Sequence, residues 1–355
     1  MKIIHCADLH LGSKMTSKLN ITLAHKRRDE ILRNFDRLAQ YAKLNKVDII
    51  LIAGDLLDTD TTTLTTTDYI LNVMREYPSI MFIYLCGNHD NNSALKNATN
   101  LPQNLKCFFT DWYSYECGQD VVITGKEGVL NSNDYKNLKL NPNKFNIVTL
   151  HGQEFVGQKQ DGEIINLKML ANKNIDYLAL GHIHTYKQEK LDDRGIYAYP
   201  GCLEGRGFDE CGQKGFILLD IQNKKLSTKF VPFMQREFVE VDLDITGLNT
   251  FHQILQKAQS VLADINSNNI VRLNLCGTYD IETDKSLNLL QHELENKFFY
   301  VDIKDKSTLY IDPNSYINDV SLTGQFIKEV LNSNLEQSVK DDIITMGLKI
   351  LKEAK

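Results

Sequence analysis

Short apolar runs that end in polar clusters set the pattern of residues 1–185. Ile3 and Ile4 lead into Asp8-Leu9-His10, Val47 to Ala53 into Gly54-Asp55, and Met81 to Cys86 into Gly87-Asn88-His89-Asp90. Phe145 to Leu150 lead into His151-Gly152, and Ile175 to Leu180 into Gly181-His182-Ile183-His184. Runs of this kind predict short strands buried in a layered α/β protein. Between the first two, residues 25–45 put Ile31, Leu32, Phe35, Leu38, Ala39 and Ala42 on one stripe, which predicts an amphipathic helix. Seven threonines in residues 59–67 read as a loop entering a second helix, Asp68 to Glu76. Residues 91–144 are less regular, with a strand at Val121 to Thr124; Trp112, Tyr113 and Tyr115 read as aromatic core, with a stacking surface as the alternative.

From Gly195 the pattern turns to strands and turns: Ile196 to Tyr199, Gly215 to Ile221 and Ser227 to Phe233. The glycine-rich piece Pro200 to Phe208 reads as tight backbone at a site's rim, or simply as a hairpin loop. Near residue 235 the character changes. Strands at Phe238 to Leu243, Ile270 to Leu275 and Phe298 to Ile303 alternate with helices at Phe251 to Ile265 and Ser286 to Asn296, which makes a small α+β unit. Pro313 and Asn314 break the chain, and helices follow at Leu322 to Leu331 and Leu335 to Leu351. Val339, Ile343, Met346, Ile350 and Leu351 form an apolar stripe on the last, suited either to packing back on the protein or to docking on a partner's helices. The expected domains are therefore 1–235, 236–312 and a helical tail, 313–355.

Composition narrows the class. The 355 residues exceed one typical domain, and 42% apolar content is ordinary for a globular core. With no run of about 18 apolar residues and no leader-like start, the chain reads as soluble and cytoplasmic, with no membrane contact. Seven scattered cysteines without a CxxC pair read as reduced thiols. The net charge of −6 is concentrated: residues 1–235 carry +1, 236–314 carry −6 and 315–355 carry −1. Broad non-specific affinity for nucleic acid is excluded, although two divalent cations in the first region would attract a phosphate backbone locally. Lys14 and Lys18 read as cations of a solvated loop, with a place near the site as the alternative, and Arg27 and Arg28 as a solvated helix start, with contact to DNA as the alternative.

The candidate chemistry lies where the apolar runs end. A carboxylate and an imidazole two residues apart on an extended segment point to the same side and can grip one cation. Ligands in α/β proteins gather beyond the carboxyl ends of buried strands. Asp8, His10, Asp55, Asn88, His151, His182 and His184 suffice for two divalent cations that share one carboxylate, with Asp55 the natural bridge. Mixed nitrogen and oxygen donors suit manganese, iron, zinc or cobalt better than magnesium. Such a pair activates water, clamps phosphate oxygens and offsets charge during phosphodiester hydrolysis. His89 can stabilise that charge or protonate the leaving oxygen, with Asp90 orienting it.

In this order DLH, GDLLD, GNHD, LHG and GHIH resemble the calcineurin-like metallophosphoesterase superfamily over residues 1–185. HCADLHLG and YPGCLEGRGFDECGQKGF at 199–216 are similar to the SbcD-like DNA repair exonucleases of bacteria, and a looser resemblance runs on through a capping domain and helical tail. The resemblance implies a four-layer α/β metallophosphoesterase sandwich, a small α+β capping domain and C-terminal helices. It implies two manganese ions, one held by Asp8, His10, Asp55 and His184, the other by Asp55, Asn88, His151 and His182, with His89 as catalytic histidine. It further implies a coiled-coil ATPase partner of the SbcC type that receives the terminal helices, and a dimeric nuclease cutting DNA ends or hairpins. One position departs: the third residue after the bridging aspartate is usually a histidine in these nucleases and here is Asp58. Two other functions stand beside this one, a phosphodiesterase of nucleotides or other small phosphoesters and a weakly catalytic scaffold. The 120 residues after 235 count against the former.

Overall fold

The computed structural model describes residues 1–355 apart from 14, 16–20, 59–62, 91–94, 96–99, 156–162, 281–282, 311–318 and 354–355. Lys14, Lys18, Pro313, Asn314 and the first part of the threonine-rich loop lie outside the described residues. The chain forms two compact units, Met1–Phe238 and Val239–Lys355.

In the first unit the order is β1 (Lys2–Cys6), α1 (Ile21–Leu44), β2 (Ile49–Ala53), α2 (Leu64–Glu76), β3 (Met81–Leu85), β4 (Leu105–Cys107), β5 (Tyr113–Cys117) and β6 (Val121–Gly125). Then come α3 (Ser132–Asn137), β7 (Phe145–His151), the short β8 (Gln153–Glu154) and β9 (Ile164–Ile165), α4 (Leu167–Leu170), β10 (Tyr177–Gly181), β11 (Lys187–Lys190), β12 (Ile196–Tyr199), β13 (Gly215–Gln222) and β14 (Lys225–Pro232). Two six-stranded sheets result, β14-β13-β1-β2-β3-β4 and β11-β12-β10-β7-β6-β5. Strands β1 to β4 run parallel, as do β6, β7, β10 and β12, so their carboxyl ends share one rim within each sheet.

The period of two along each strand builds the layers. Ile4, Cys6, Ile50, Ile52, Phe82 and Tyr84 join the core under α1 and α2. Their neighbours Ile3, Ile49, Leu51, Ile83 and Leu85 meet Ile123, Ile147, Tyr177, Ala179 and Ala198 between the sheets. On the far side Val148, Leu150, Leu178, Leu180, Tyr197 and Tyr199 pack with Tyr135 of α3 and Leu170 of α4. Helix, sheet, sheet and helix thus make four layers. Helix α2 begins four residues before the expected Asp68, because the Thr63 hydroxyl accepts the Thr66 amide and caps it. Trp112 and Tyr115 pack into cores as expected, whereas Tyr113 is largely exposed beside Phe109.

Arg27 corrects the sequence reading. It is neither solvated nor available to a ligand: its side chain is 0% exposed in the interior. Its guanidinium donates to Glu30 at 2.7 Å, to Glu204 at 2.8 Å and to the Gly205 carbonyl at 3.0 Å. Glu204 also accepts from Asn34 of α1 and from the amides of Gln235 and Arg236, and Arg236 returns to Glu30 at 2.7 Å. Helix α1, the 203–207 loop and the segment after β14 are thereby tied by charged hydrogen bonds.

From β15 (Phe238–Asp244), whose first residue still belongs to the first unit, the second unit runs through α5 (Phe251–Val261), β16 (Ile270–Cys276), β17 (Thr278–Tyr279), α6 (Leu287–Glu295), β18 (Tyr300–Asp305) and β19 (Thr308–Leu309), then α7 (Leu322–Leu331) and α8 (Gln337–Glu353). Strands β15-β16-β18 form a sheet whose apolar face, with Leu243, Leu273 and Val301, packs on Ile254 and Ala258 of α5 and Leu290 and Leu294 of α6. Ile327 of α7 packs on Ile344 and Leu348 of α8. The remaining apolar stripe of α8 stays outside, with Val339, Ile343, Met346 and Ile350 exposed by 41, 36, 67 and 61%. No described helix is long and apolar enough to cross a membrane.

Replacing Arg27 by Met leaves Glu204 buried with its charge unpaired, which costs about 3–5 kcal/mol. Urea unfolding of Arg27→Met is expected to show that loss; a midpoint equal to the parent's would contradict the role given to this network.

Candidate metal centre

The strand order brings together loops that are far apart in sequence. The segment after β1 rides on the segment after β2, with Asp8, His10 and Leu11 amides donating to the carbonyls of Gly54, Asp55 and Leu56. Beyond β3, β7 and β10 the chain continues into Asn88–Asp90, Gly152 and His182. Asp8, His10, Asp55 and His182 all have positive φ, at 52, 44, 51 and 99°. Non-glycine residues rarely occupy this region, and such strain collects at functional sites. Glycines make the convergence possible: a Cβ on Gly54 would lie 2.0 Å from His151 Nδ1, and one on Gly181 1.9 Å from the Ala53 carbonyl oxygen.

Two groups of donor atoms meet within 4.8 Å of one another, Asp8 with His10 and His184, and Asp8 with Asp55 and His151. His10 Nε2 faces His184 Nε2 at 3.3 Å. Asp55 Oδ2 lies 3.8 Å from His10 Nε2 and 3.3 Å from His151 Nε2, so one carboxylate oxygen looks toward both groups. His151 Nε2 also meets Asn88 Oδ1 at 2.9 Å while its Nδ1 donates to the Ala53 carbonyl at 3.0 Å. Of the seven expected ligands, six thus present donor atoms to one another. The His182 ring stands edge-on beside His151, 5.3 Å away, but its nitrogens join neither group; its amide donates to both oxygens of Asp8 at 2.9 and 3.0 Å.

The electrostatics suit cations. Burial, reinforced by the positive charge of Arg206, holds His10 down to about 2 and so keeps a nitrogen lone pair available. Burial, with the negative charge of Asp55 adding to it, raises Asp8 to about 6. Burial would also raise Asp55, but the hydrogen bond and charge of His151 outweigh it and bring it to about 2. Burial would lower His151, yet the same pair with Asp55 lifts it to about 9. With Asp55 favouring the charged imidazole, His151 Nε2 can donate a proton toward Asn88 Oδ1 and Asp55 Oδ2, where the three side chains converge. A divalent cation can replace that proton, and its binding would release it.

His89 stands at the rim, with its side chain 48% exposed and its ring 4.9 Å from that of His10. Its amide donates to Asp55 Oδ1 at 2.9 Å. The expectation that Asp90 orients it is corrected here. The Asp90 carboxylate is fully buried and accepts the amides of Leu56, Leu57 and Gly87 at 3.1, 2.7 and 3.1 Å, fastening the loop after β2 to the loop after β3. The acid beside His89 Nδ1 is Asp58, at 3.7 Å.

Three further residues stand behind the site, all within the stretch 199–216, to whose charged residues the sequence reading gave no role. Glu210 Oε1 is 2.7 Å from His184 Nδ1, Arg206 holds Glu210, and Lys214 donates to the His184 carbonyl at 2.9 Å. They belong to or follow the glycine-rich piece expected as a rim or hairpin. The signal available in the chain is the i, i+4 pairing of Arg206 with Glu210.

Residues 1–186 match the model of the calcineurin-like phosphoesterases. The chain is similar to the SbcD subunit of the nuclease SbcCD from Staphylococcus epidermidis, with 26% identity covering 95% of this chain and 97% of that one. It is also similar to the uncharacterized metallophosphoesterase YhaO of Bacillus subtilis, 25% identical over 78% of this chain and 72% of the other. A third relative is the DNA double-strand break repair protein Mre11 of Aeropyrum pernix, 24% identical over 74% of this chain and 69% of the other. With the matched segment covering more than half of its residues and ending just past His184, the chain belongs to the calcineurin-like phosphoesterase family.

Proposed function

We propose that the protein is the nuclease subunit of an ATPase–nuclease complex for double-strand-break repair, hydrolysing phosphodiesters at DNA ends or hairpins with two manganese ions. The observation that carries the reading is the meeting of Asp8, His10 and His184 in one group and Asp8, Asp55 and His151 in another. Asp8, His10, Asp55 and His184 would hold one ion; Asp55, Asn88, His151 and His182 the other. Nitrogen and oxygen donors without a thiolate favour manganese over softer choices. Bound, the pair would supply Lewis acidity toward the phosphate and a nucleophile at neutral pH.

The chain's own residues do the rest. Asp55 fixes the His89 amide, and Asp58 stands on the Nδ1 side of the half-exposed ring. A half-exposed imidazole there can carry a proton to the leaving oxygen. DNA as substrate is supported by the SbcD and Mre11 relatives, which cover 95 and 74% of this chain. The exposed stripe of α8 supports a partner, taken to be a coiled-coil ATPase of the SbcC type, on which apolar helix faces dock. The seven cysteines form no disulfide, which suits a cytoplasmic setting, and the working form is taken to be a homodimer.

Manganese is expected to bind at two ions per chain by equilibrium dialysis and to raise the melting temperature. At 100 times the dissociation constant, one bound ion adds about 2.7 kcal/mol. Asp55→Asn should lose stoichiometric uptake of the pair. His89→Gln should keep the uptake of both ions while kcat on labelled hairpin and duplex DNA falls about 10²–10⁴-fold. If the parent turns over bis-p-nitrophenyl phosphate or a cyclic dinucleotide but none of the DNAs, the small-phosphoester reading replaces this one. Met346→Glu combined with Ile350→Glu should abolish co-purification with the coiled-coil ATPase and leave the manganese-loaded chain as active on its own as the parent.

A further inference from the structure

We propose that Glu210 is the positioning residue for His184: its carboxylate accepts a hydrogen bond from Nδ1–H and so presents the Nε2 lone pair to the cation site shared with Asp8 and His10. The assignment rests on the dinuclear reading above and adds a residue to it. An imidazole binds a cation through a bare nitrogen, so which nitrogen carries the proton decides whether His184 can serve. Glu210 Oε1 lies 2.7 Å from Nδ1, a short contact of the charge-assisted kind. The opposite nitrogen, Nε2, is the one that faces His10 Nε2 at 3.3 Å within the group completed by Asp8. Arg206 Nη2 is also near Nδ1, but at 3.4 Å it is the longer and weaker contact.

The carboxylate is itself held in place. Glu210 is 6% exposed and accepts the Arg206 amide on Oε2 at 2.8 Å and the Arg206 guanidinium on Oε1 at 2.8 and 3.3 Å. The backbone of His184 is gripped independently, since buried Lys214 donates to its carbonyl at 2.9 Å. Ring and backbone are therefore fixed from two directions, and the shorter of the two contacts at Nδ1 is its donation to Glu210. In metal sites such outer carboxylates set the tautomer of the ligand imidazole, and their removal typically weakens metal affinity 10–100-fold.

Two measurements test this. In metal-free parent protein at mildly alkaline pH, long-range ¹H–¹⁵N correlation should report the Nδ1–H tautomer for His184. An Nε2–H tautomer overturns the assignment, and this measurement needs no variant to fold. Glu210→Gln keeps the shape but replaces the charged acceptor by a neutral amide, which weakens the hold on the Nδ1 proton. Calorimetric manganese titration of that variant should show one of the two ions weakened about 10–100-fold and the other unchanged. Two parent-like affinities in the variant overturn the role of Glu210 alone. A parent that takes up fewer than two ions overturns the dinuclear reading, and the role of Glu210 with it.

Discussion

The centre depends on backbone approaching backbone more closely than side chains ordinarily allow. Gly181 sits where a Cβ would strike the Ala53 carbonyl at 1.9 Å, and Gly87 where one would strike Asp55 Oδ1 at 2.2 Å. These contacts set the spacing between the loops after β2, β3 and β10, and the spacing sets which donor atoms meet. Asp8, His10 and Asp55, in left-handed backbone after strands of one sheet, then turn their side chains toward His151 and His184 from the other. The surrounding layers have to be rigid to hold such conformations, and the four-layer packing with its three separate apolar cores supplies that rigidity.

Charge is organised on the same principle. Asp55 and His151 form a buried pair, Glu210 and Arg206 another, and Arg27 with Glu204 a third. Each pair is kept from the usual desolvation loss by further hydrogen bonds from neighbouring amides or side chains. Asp90 shows the limiting case, a buried carboxylate gripped by three backbone amides. Desolvation raises its pKa to about 6, even though those amides favour the charged form. Its work is to join two loops, which explains how a motif residue next to His89 can be structural.

Much of this is legible in the chain. A strand buried on both faces leaves an unbroken apolar run, so β1, β2, β3, β7 and β10 announce themselves together with the ligands at their ends. The stripe of α1 and the helices α7 and α8 follow from the same periodicity. What escapes is whatever depends on partners distant in sequence. Arg27 looks like any cation at a helix start, because Glu204 lies 177 positions away. Asp90 looks like a partner for its neighbour, because two of the amides it binds lie 33 and 34 positions upstream. Glu210 lies in the 199–216 stretch, yet nothing local says that its partner is His184, 26 positions upstream. Local pattern predicts where donors are delivered; it does not say which acid each imidazole will find.

Glu204 accepts the amides of Gln235 and Arg236, which follow the last strand of the first sheet and precede the second unit. Gly212 likewise donates to the Phe238 carbonyl, and the Phe208 ring stacks edge-on against Phe238 at 5.1 Å. The phosphoesterase unit consequently extends past its final β-hairpin by a short strap, whose backbone closes the loop that carries Arg206 and Glu210. A chain cut at Pro232 would retain every proposed ligand, yet it would leave that loop without its outer fastening and Glu204 two donors short in the interior.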